Sequence, residues 1–465
     1  MFRRVSPRAH GTCRSDVLRE PRPGASAHAH PGAGEGVSVA VDYEPVLLTH
    51  PGRAIAVSLK EYEAEDGYAG WRHALAKMTP DQVVEEVKAS GLRGRGGAGF
   101  PTGNKWGFIP KAPGAKYVAV NADESEPGTF KDRELMEVEP HRVLEGIALC
   151  CYAIGAETAF IYIRGEYIEA ADRLEAAIAE AEAANILGNG CLGSQLNVRV
   201  LVFRGAGAYI CGEETALLES LEGRRPMPRS RPPFPAVEGL YRRPTVINNV
   251  ETLANVPAII DRGSGWYNSI GIPPRNTGPK IFCLSGRVNR AGNYELPLGA
   301  VTIRELIDDY GRGVIDGKAV KGVLTAGVSA PILTADKLET KLDYDSVQAA
   351  GSMLGSASLI VLDEDTCIVR AAALMEEFFR HESCGKCTPC REGTSWLLKV
   401  LSRIEAGRGV PADLDLLLSL SGEITGKVLC ALGDFATSPV VATVKQYRDE
   451  YERHITGGAC PFEQW

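Results

Sequence analysis

Val198-Arg199-Val200-Leu201-Val202-Phe203-Arg204-Gly205-Ala206-Gly207-Ala208-Tyr209 sets the architecture expected of this chain. Val198 to Phe203 is a β-prone run, and Gly205-Ala206-Gly207 turns the chain. Helical spacing resumes from Gly212 to Leu221, with Gly223 as the stop. A strand that passes through a glycine turn into a helix is the unit of a parallel sheet covered by helices. Upstream, an amphipathic helix is predicted from about Tyr167 to Ala184. Val143 to Ile163 is apolar, but Glu145 and Glu157 interrupt it and Ile154-Gly155 breaks it. It therefore reads as a buried helix followed by a strand rather than a bilayer crossing. Tyr117 to Val120 is a further strand, running into the acidic stretch Asn121-Ala122-Asp123-Glu124-Ser125-Glu126. Carboxylates just past a strand end sit where open α/β sheets place their sites.

A second glycine-rich stretch, Gly94-Arg95-Gly96-Gly97-Ala98-Gly99-Phe100-Pro101-Thr102-Gly103, has a different approach. Before it stands a helix signal: Thr79 as N-cap, Pro80 at the first position, Gln82 completing a capping box, and Gly91 as a left-handed stop. The string Gly94-x-Gly96-x-x-Gly99 matches the dinucleotide fingerprint, yet a helix rather than a strand precedes it, so the usual strand–turn–helix mechanism does not carry over. What the stretch offers is backbone free to approach a ligand, Arg93 and Arg95 for phosphate charge, Phe100, Trp106 and Phe108 for stacking, and Lys105 as a nearby cation. In the first turn after the other glycine loop, Glu213 and Glu214 suit the helix dipole and are also placed to bind sugar or amide groups.

Beyond about Lys280 the texture changes. Short β-prone runs at Ile281–Leu284, Val320–Thr325 and Leu359–Leu362 flank one helix, Ile303 to Tyr310, as in a small α+β domain. From Thr366 onward helical patterns follow at about 366–381, 392–405, 411–424 and 436–454, a four-helix module. Between its first two helices lies Cys384-Gly385-Lys386-Cys387-Thr388-Pro389-Cys390, and Cys430 falls between its last two. Three thiolates at C-x2-C-x2-C spacing with one remote cysteine suit a [4Fe–4S] cube. Structural zinc, which usually pairs two C-x2-4-C units or adds histidine, is the alternative, with His381 just outside the triplet. Cys150, Cys151, Cys283 and Cys367 sit in apolar stretches and read as buried small hydrophobes, and Cys460 stands alone.

Size and composition fit this picture. The 465 residues suffice for two or three cores, and 44% apolar with 24% charged residues is ordinary for a globular protein. A net charge of −8 argues against nucleic acid as the main partner. Twelve cysteines without a secretory signal fit a reducing compartment better than a disulfide framework. Residues 1–40, rich in Arg, Ala, Gly, Pro and His, read as an unstructured extension rather than a transit peptide.

Taken in order, these motifs, with Pro127-Gly128-Thr129-Phe130-Lys131-Asp132-Arg133, Pro232-Pro233-Phe234-Pro235 and Ile247-Asn248-Asn249-Val250-Glu251-Thr252, resemble the 51-kDa (F) subunits of respiratory complex I, a flavin-bearing, NADH-oxidising family. The likeness covers roughly residues 45–455. The resemblance implies an α/β fold with a Rossmann-like parallel-sheet FMN and NADH domain at 41–270. A ubiquitin-like SLBB domain at 271–364 and a helical [4Fe–4S] domain at 365–465 would follow. It implies FMN held by the loop Gly94, Arg95, Gly96, Gly97, Ala98, Gly99, Phe100, Pro101, Thr102 and Gly103, by Asn121, Asp123 and Glu124, by Tyr209, Gly212, Glu213 and Glu214, and by Asn248, Asn249 and Thr252. NADH would stack on the flavin, with Phe100, Phe108 and Phe234 near its rings and Lys105, Glu126, Glu214 and Arg231 among its contacts. Many members have Lys where this chain has Arg231, and Asn104 replaces a commoner Leu. The cluster ligands would be Cys384, Cys387, Cys390 and Cys430.

The implied chemistry is hydride transfer from NADH to FMN, then single electrons to the cube and onward, with no side-chain acid or nucleophile required. The implied partners are a thioredoxin-like [2Fe–2S] subunit and a multi-cluster iron–sulfur subunit. Any membrane contact would be made through partners, on the inner face of a bacterial cell membrane or the matrix side of a mitochondrial one. Two rival readings stay open. One is the diaphorase subunit of an NAD-dependent formate dehydrogenase, hydrogenase or bifurcating complex, which often carries additional thioredoxin-like or ferredoxin domains. The other is a zinc-stapled scaffold without catalysis.

Overall fold

A computed structural model describes residues 41–462, so the extension expected at 1–40 lies outside the described residues. Helix α1 (Pro80–Ala89) begins as expected: the Thr79 hydroxyl accepts from the Gln82 amide, the Gln82 side chain returns the contact, and Gly91 turns left-handed at φ 69°. Its Val83 and Val87 are fully buried. After the glycine loop comes the short helix α2 (Thr102–Gly107), then strand β1 (Tyr117–Ala122), helices α3 (Lys131–Val138) and α4 (Pro140–Ile154), and strand β2 (Thr158–Ile163). Gly155 ends α4 with a left-handed residue, which splits the apolar run of 143–163 into helix and strand. Among the described residues no helix is long and apolar enough to cross a membrane. Helix α5 (Ile168–Ala183) leads to β3 (Arg199–Arg204), then α6 (Glu214–Leu221), β4 (Thr245–Asn249) and α7 (Val250–Ala254).

The first sheet is fully parallel in the order β3-β2-β1-β4, with Tyr117 opposite both Thr158 and Thr245. Because all four strands run the same way, the segments after β1, β3 and β4 emerge on one edge. The chain moves outward from β1 to β3 and then returns to the other side of β1 for β4. The junction of β1 and β4 is therefore a topological switch point, the place where such sheets hold ligands.

The second sheet comprises β5 (Pro279–Gly286), β6 (Gly292–Pro297), β7 (Val320–Leu324), β8 (Leu333–Thr334) and β9 (Ser358–Asp363), in the order β8-β7-β9-β5-β6. Only β9 and β5 pair in parallel. The helix expected over Ile303–Tyr310 is one capped turn, Ile303–Glu305, that widens into a π-helical turn, Leu306–Tyr310.

The C-terminal part is helical: α8 (Ile368–Glu382), α9 (Thr388–Glu405), α10 (Ala412–Ile424), α11 (Ala431–Gln446) and α12 (Arg448–Gly457). The single helix expected over 436–454 is thus two, and the first starts earlier than its apolar spacing suggested. The break falls at Tyr447 (φ −126°), whose hydroxyl reaches the Lys321 carbonyl of β7 at 2.9 Å. Docking onto the second sheet takes this residue out of the helical path.

Candidate functional site

At the switch point lies a cavity of about 330 Å³. Its walls come from all three parts of the chain: Gly96–Ala98 of the glycine loop, Asn121 and Asp123–Glu126 at the β1 end, Tyr209, Ile210, Gly212 and Glu213 after β3, Asn249 at the β4 end, Ser329 and Ser356 in loops between strands of the second sheet, and Cys430–Leu432 at the start of α11.

The glycine loop is closed on itself. The Gly94 amide donates to Phe100 O at 2.8 Å and the Thr102 amide to Leu92 O at 2.9 Å. It is docked on α7, just past β4, by the Arg95 amide, which donates to Thr252 Oγ1 at 2.8 Å. Gly97 has φ 149°, and a Cβ there would meet nothing within 4 Å, so bare backbone faces open cavity space. Neither of the two arginines expected to offer phosphate charge lines the cavity. Arg95 is fully buried and donates to Thr277 O at 2.7 Å, while the Arg93 guanidinium lies over the Tyr344 ring at 4.2 Å. Both side chains are drawn to residues far along the chain, Thr277 and Tyr344, which the sequence pattern around the loop did not reveal.

Past β1, most polar side chains are engaged by protein. Asn121 donates to Gly212 O at 2.8 Å, and Asn248 accepts from Trp106 Nε1 at 2.8 Å. Glu124 accepts from the Asp132 and Arg133 amides at 2.9 Å each and so caps α3. Glu126 accepts from the Val328 amide and the hydroxyls of Tyr209 and Ser329 at 2.8, 2.8 and 2.6 Å, bridging the two sheets. Asp123 is the exception. Its Oδ1 accepts from Ser125, but Oδ2 is buried without a partner on the cavity wall. Burial pushes its carboxyl up to about 7, and burial does the same to Glu126. A buried acceptor left free beside a cavity is a place for a ligand donor.

Under the cavity runs a buried chain of charges. Lys131 Nζ lies 2.8 Å from both Asp132 and Glu251, Lys280 Nζ lies 2.6 Å from Glu251, and Asn249 donates to Asp132 at 2.6 Å. Burial would raise the Glu251 carboxyl, but Lys131 and Lys280 overcome it and hold the group below its usual range. Burial pulls Lys280 down to about 8.

A second group of expected residues stands just outside the cavity lining, joined to it through Glu213, and makes its exposed mouth. Phe100 and Phe108 are 47% and 60% exposed with ring centroids 6.1 Å apart, and Phe234 is 57% exposed. Glu214 pairs with Lys105 at 3.0 Å and with Arg231 at 3.0 Å, while Arg231 also reaches Glu213 at 3.2 Å. Glu213 in addition caps α6, accepting from the Thr215 and Ala216 amides at 2.9 Å. Behind this turn Gly207 has a left-handed φ of 78°, a conformation that favours glycine, and an added Cβ would have to displace the Glu166 carboxylate.

On the opposite wall, Cys384, Cys387, Cys390 and Cys430 surround one small void together with Ile210, Ser383 and Leu432. The Leu429 amide points at Cys387 Sγ at 3.3 Å and the Ser383 hydroxyl lies 3.2 Å from Cys390 Sγ. Four cysteines on one void, with donors aimed at their sulfurs, fit an iron–sulfur cube. A single zinc ion would draw its sulfurs to about 3.8 Å of one another. Among the described residues, the donor groups gathered within 4.8 Å include none of these four cysteines. Ile210, Cys430 and Leu432 line both this void and the large cavity.

Residues 87–258 match the family described as Nuo51 FMN-binding domain, and residues 370–454 the NADH-ubiquinone oxidoreductase-F iron-sulfur binding region. The chain is 57% identical over 421 residues to the second F subunit of NADH-quinone oxidoreductase of Rhizobium meliloti, covering 90% of this chain and all of that one. This chain belongs to the F-subunit family of NADH-quinone oxidoreductases. The F subunit of Streptomyces coelicolor is 54% identical over 90% of this chain and 93% of its own. Among solved structures, an NAD+-reducing [NiFe]-hydrogenase in the air-oxidized state superposes with a TM-score of 0.75 at 37% identity, over 84% of this chain. This chain spans 65% of that hydrogenase chain.

Sequence reasoning missed the far walls of the cavity. Ala326, Ser329, Met353, Ser356 and Phe435 carry no motif and arrive through the packing of the second sheet and α11. Lys131 and Asp132 also line it from within the Pro127–Arg133 motif, and their adjacent opposite charges were the available signal.

Proposed function

We propose that this chain is the NADH-oxidising subunit of a respiratory NADH:quinone oxidoreductase, with FMN in the switch-point cavity and a [4Fe–4S] cluster on Cys384, Cys387, Cys390 and Cys430. When bound, FMN takes a hydride and gives up electrons singly to the cluster, chemistry that the side chains themselves do not supply. The chain's own work is placement. Gly96–Ala98 presents bare backbone, Asp123 Oδ2 offers a free acceptor, and the paired charges beneath hold these in position. Lys105, Glu214 and Arg231, with the exposed rings of Phe100, Phe108 and Phe234, would receive the nucleotide. Asn121, Glu124, Tyr209, Asn248, Asn249 and Thr252 would act by fixing the walls. The second sheet and α11 close the far side against water.

The observation that carries this reading is the shared wall. Ile210, Cys430 and Leu432 belong to the four-cysteine void and to the cavity lining, and Cys430 is itself one of the four thiols, so a group in either place is separated from the other by a single layer of protein. Onward transfer would go to a thioredoxin-like [2Fe–2S] partner and a multi-cluster iron–sulfur partner, with the membrane's inner face reached through integral subunits.

A diaphorase role in a hydrogenase is supported by the 37% identity to the hydrogenase chain, but the F-subunit relatives cover more of both chains. Purified anaerobically, the protein should show flavin absorbance bleached by NADH and a paramagnetic cluster signal after reduction. Cys387→Ser should keep flavin and NADH–ferricyanide activity while electron delivery to quinone in the assembled complex is lost. Undiminished quinone reduction in that variant would refute the ligand assignment. Copurification with quinone-reducing membrane subunits, rather than a nickel–iron subunit, separates the two assemblies.

A further inference from the structure

Far from the cavity side of the helical module, four potential metal donors converge. Cys367 is the N-cap of α8, Glu405 is the last residue of α9, His454 lies on α12, and Cys460 follows the left-handed Gly458 that ends α12. Cys367 and His454 are buried and the other two are partly so. All four donor atoms lie within 4.8 Å of one another.

The separations can be compared with what a tetrahedral ion demands. With metal–sulfur bonds of about 2.3 Å and metal–nitrogen or metal–oxygen bonds of about 2.0 Å, sulfurs sit about 3.8 Å apart, sulfur to lighter donor about 3.5 Å, and two lighter donors about 3.3 Å. Cys367 and Cys460 Sγ are 3.7 Å apart. Cys367 Sγ lies 3.3 Å from His454 Nε2 and 3.5 Å from Glu405 Oε2, and those last two atoms are 3.3 Å apart. The imidazole is oriented to ligate. Its Nδ1 lies 2.8 Å from the Glu450 carbonyl, which places the ring proton there and leaves the Nε2 lone pair facing the two sulfurs and the carboxylate. A bare thiol pair would need neither the histidine nor the carboxylate.

We propose that Cys367, Glu405, His454 and Cys460 form a second metal site, a closed four-ligand site for zinc that staples the C-terminal segment to α8 and α9. Thiolate, imidazole and carboxylate in tetrahedral array suit zinc, and the absence of a free coordination position makes the role structural rather than catalytic. Binding releases the two thiol protons to solvent and oxidises nothing.

The test uses full-length holoprotein purified without chelator. Mass-spectrometric metal analysis should find one zinc per chain in addition to iron. Zinc-edge X-ray absorption should show two sulfurs at about 2.3 Å and two lighter ligands at about 2.0 Å. Cys460→Ser, on the partly exposed end segment, and separately His454→Gln should lose the zinc while iron and flavin contents stay at wild-type values. A four-sulfur shell would put the zinc on the cluster cysteines and overturn the proposal. So would variants that retain zinc, or wild-type protein that neither contains zinc nor takes up one equivalent of a zinc salt, whether Cys367 and Cys460 are then found as thiols or as a disulfide.

Discussion

The floor and the mouth of the cavity are built from the same residue types in opposite ways. In the floor, Lys131, Asp132, Glu251 and Lys280 are fully buried and every charge has a partner within 2.8 Å. At the mouth, Lys105, Glu214 and Arg231 make a similar chain of ion pairs while partly exposed, beside phenylalanines about half in solvent. A buried network is rigid, and disturbing one member strands the others. An exposed network is screened, worth little to stability and free to change partners. The floor therefore suits a group that stays, and the mouth suits one that comes and goes. That division matches a resident flavin and an exchanging nucleotide.

The largest test of the contrast is Glu251→Ala. It leaves Lys131 and Lys280 without their shared carboxylate and the Ile281 amide without its acceptor. Removing one partner of a buried network costs about 3–5 kcal/mol. A large fall in the urea midpoint is expected, with flavin loss following instability. If stability moved by less than about 1 kcal/mol, the scale of an exposed pair, the floor would be no stiffer than the mouth.

Lys105→Ala should do the reverse. Its ammonium pairs with Glu214, and both side chains are partly exposed, so stability should shift by less than about 1 kcal/mol. A charge-assisted contact to a nucleotide phosphate or ring amide is worth about 1.5 kcal/mol or more, so the KM for NADH should rise about tenfold with flavin content unchanged. Steady-state kinetics at matched flavin content decide it. An unchanged KM with a lowered melting temperature would make Lys105 a structural residue and erase the distinction.

The sequence made the floor's supports legible and left its far walls hidden. Helix α1, strands β1 to β3 and helix α5 follow from periodicity and caps that act within a few residues. The cysteine run is likewise local, and Cys430 follows a helix of the same module. Strand β6 and the cavity walls at Ser329 and Ser356 depend on how one sheet seats against another, which leaves no local pattern. The clearest miss is Cys367. In sequence it is an apolar-flanked thiol, but in space Cys460, 93 residues later, lies 3.7 Å away.

The smallest predicted effect belongs to Asp123, which stands between floor and mouth. Burial pushes its carboxyl up to about 7, with Glu166 and Glu382 adding to the rise and Ser125 and Arg164 opposing it. Unfolded, it titrates near 3.8. Between these values the folded state holds a proton that the unfolded state has lost, so the stability of flavin-free protein falls as pH rises from about 4 to 7. Glu124 and Glu126 contribute slopes of the same sign, so the comparison must be made against Asp123→Asn, which removes one contribution and leaves the others. The variant should show the shallower decline in urea midpoint between pH 5 and pH 8. A ligand donor to Oδ2 favours the ionised carboxylate, so flavin retention by wild-type protein should improve over the same interval and that of the variant should stay level. Equal slopes in both proteins would mean that Oδ2 meets no ligand donor, and the boundary between a held and an exchanging group would then have to be drawn elsewhere in the cavity.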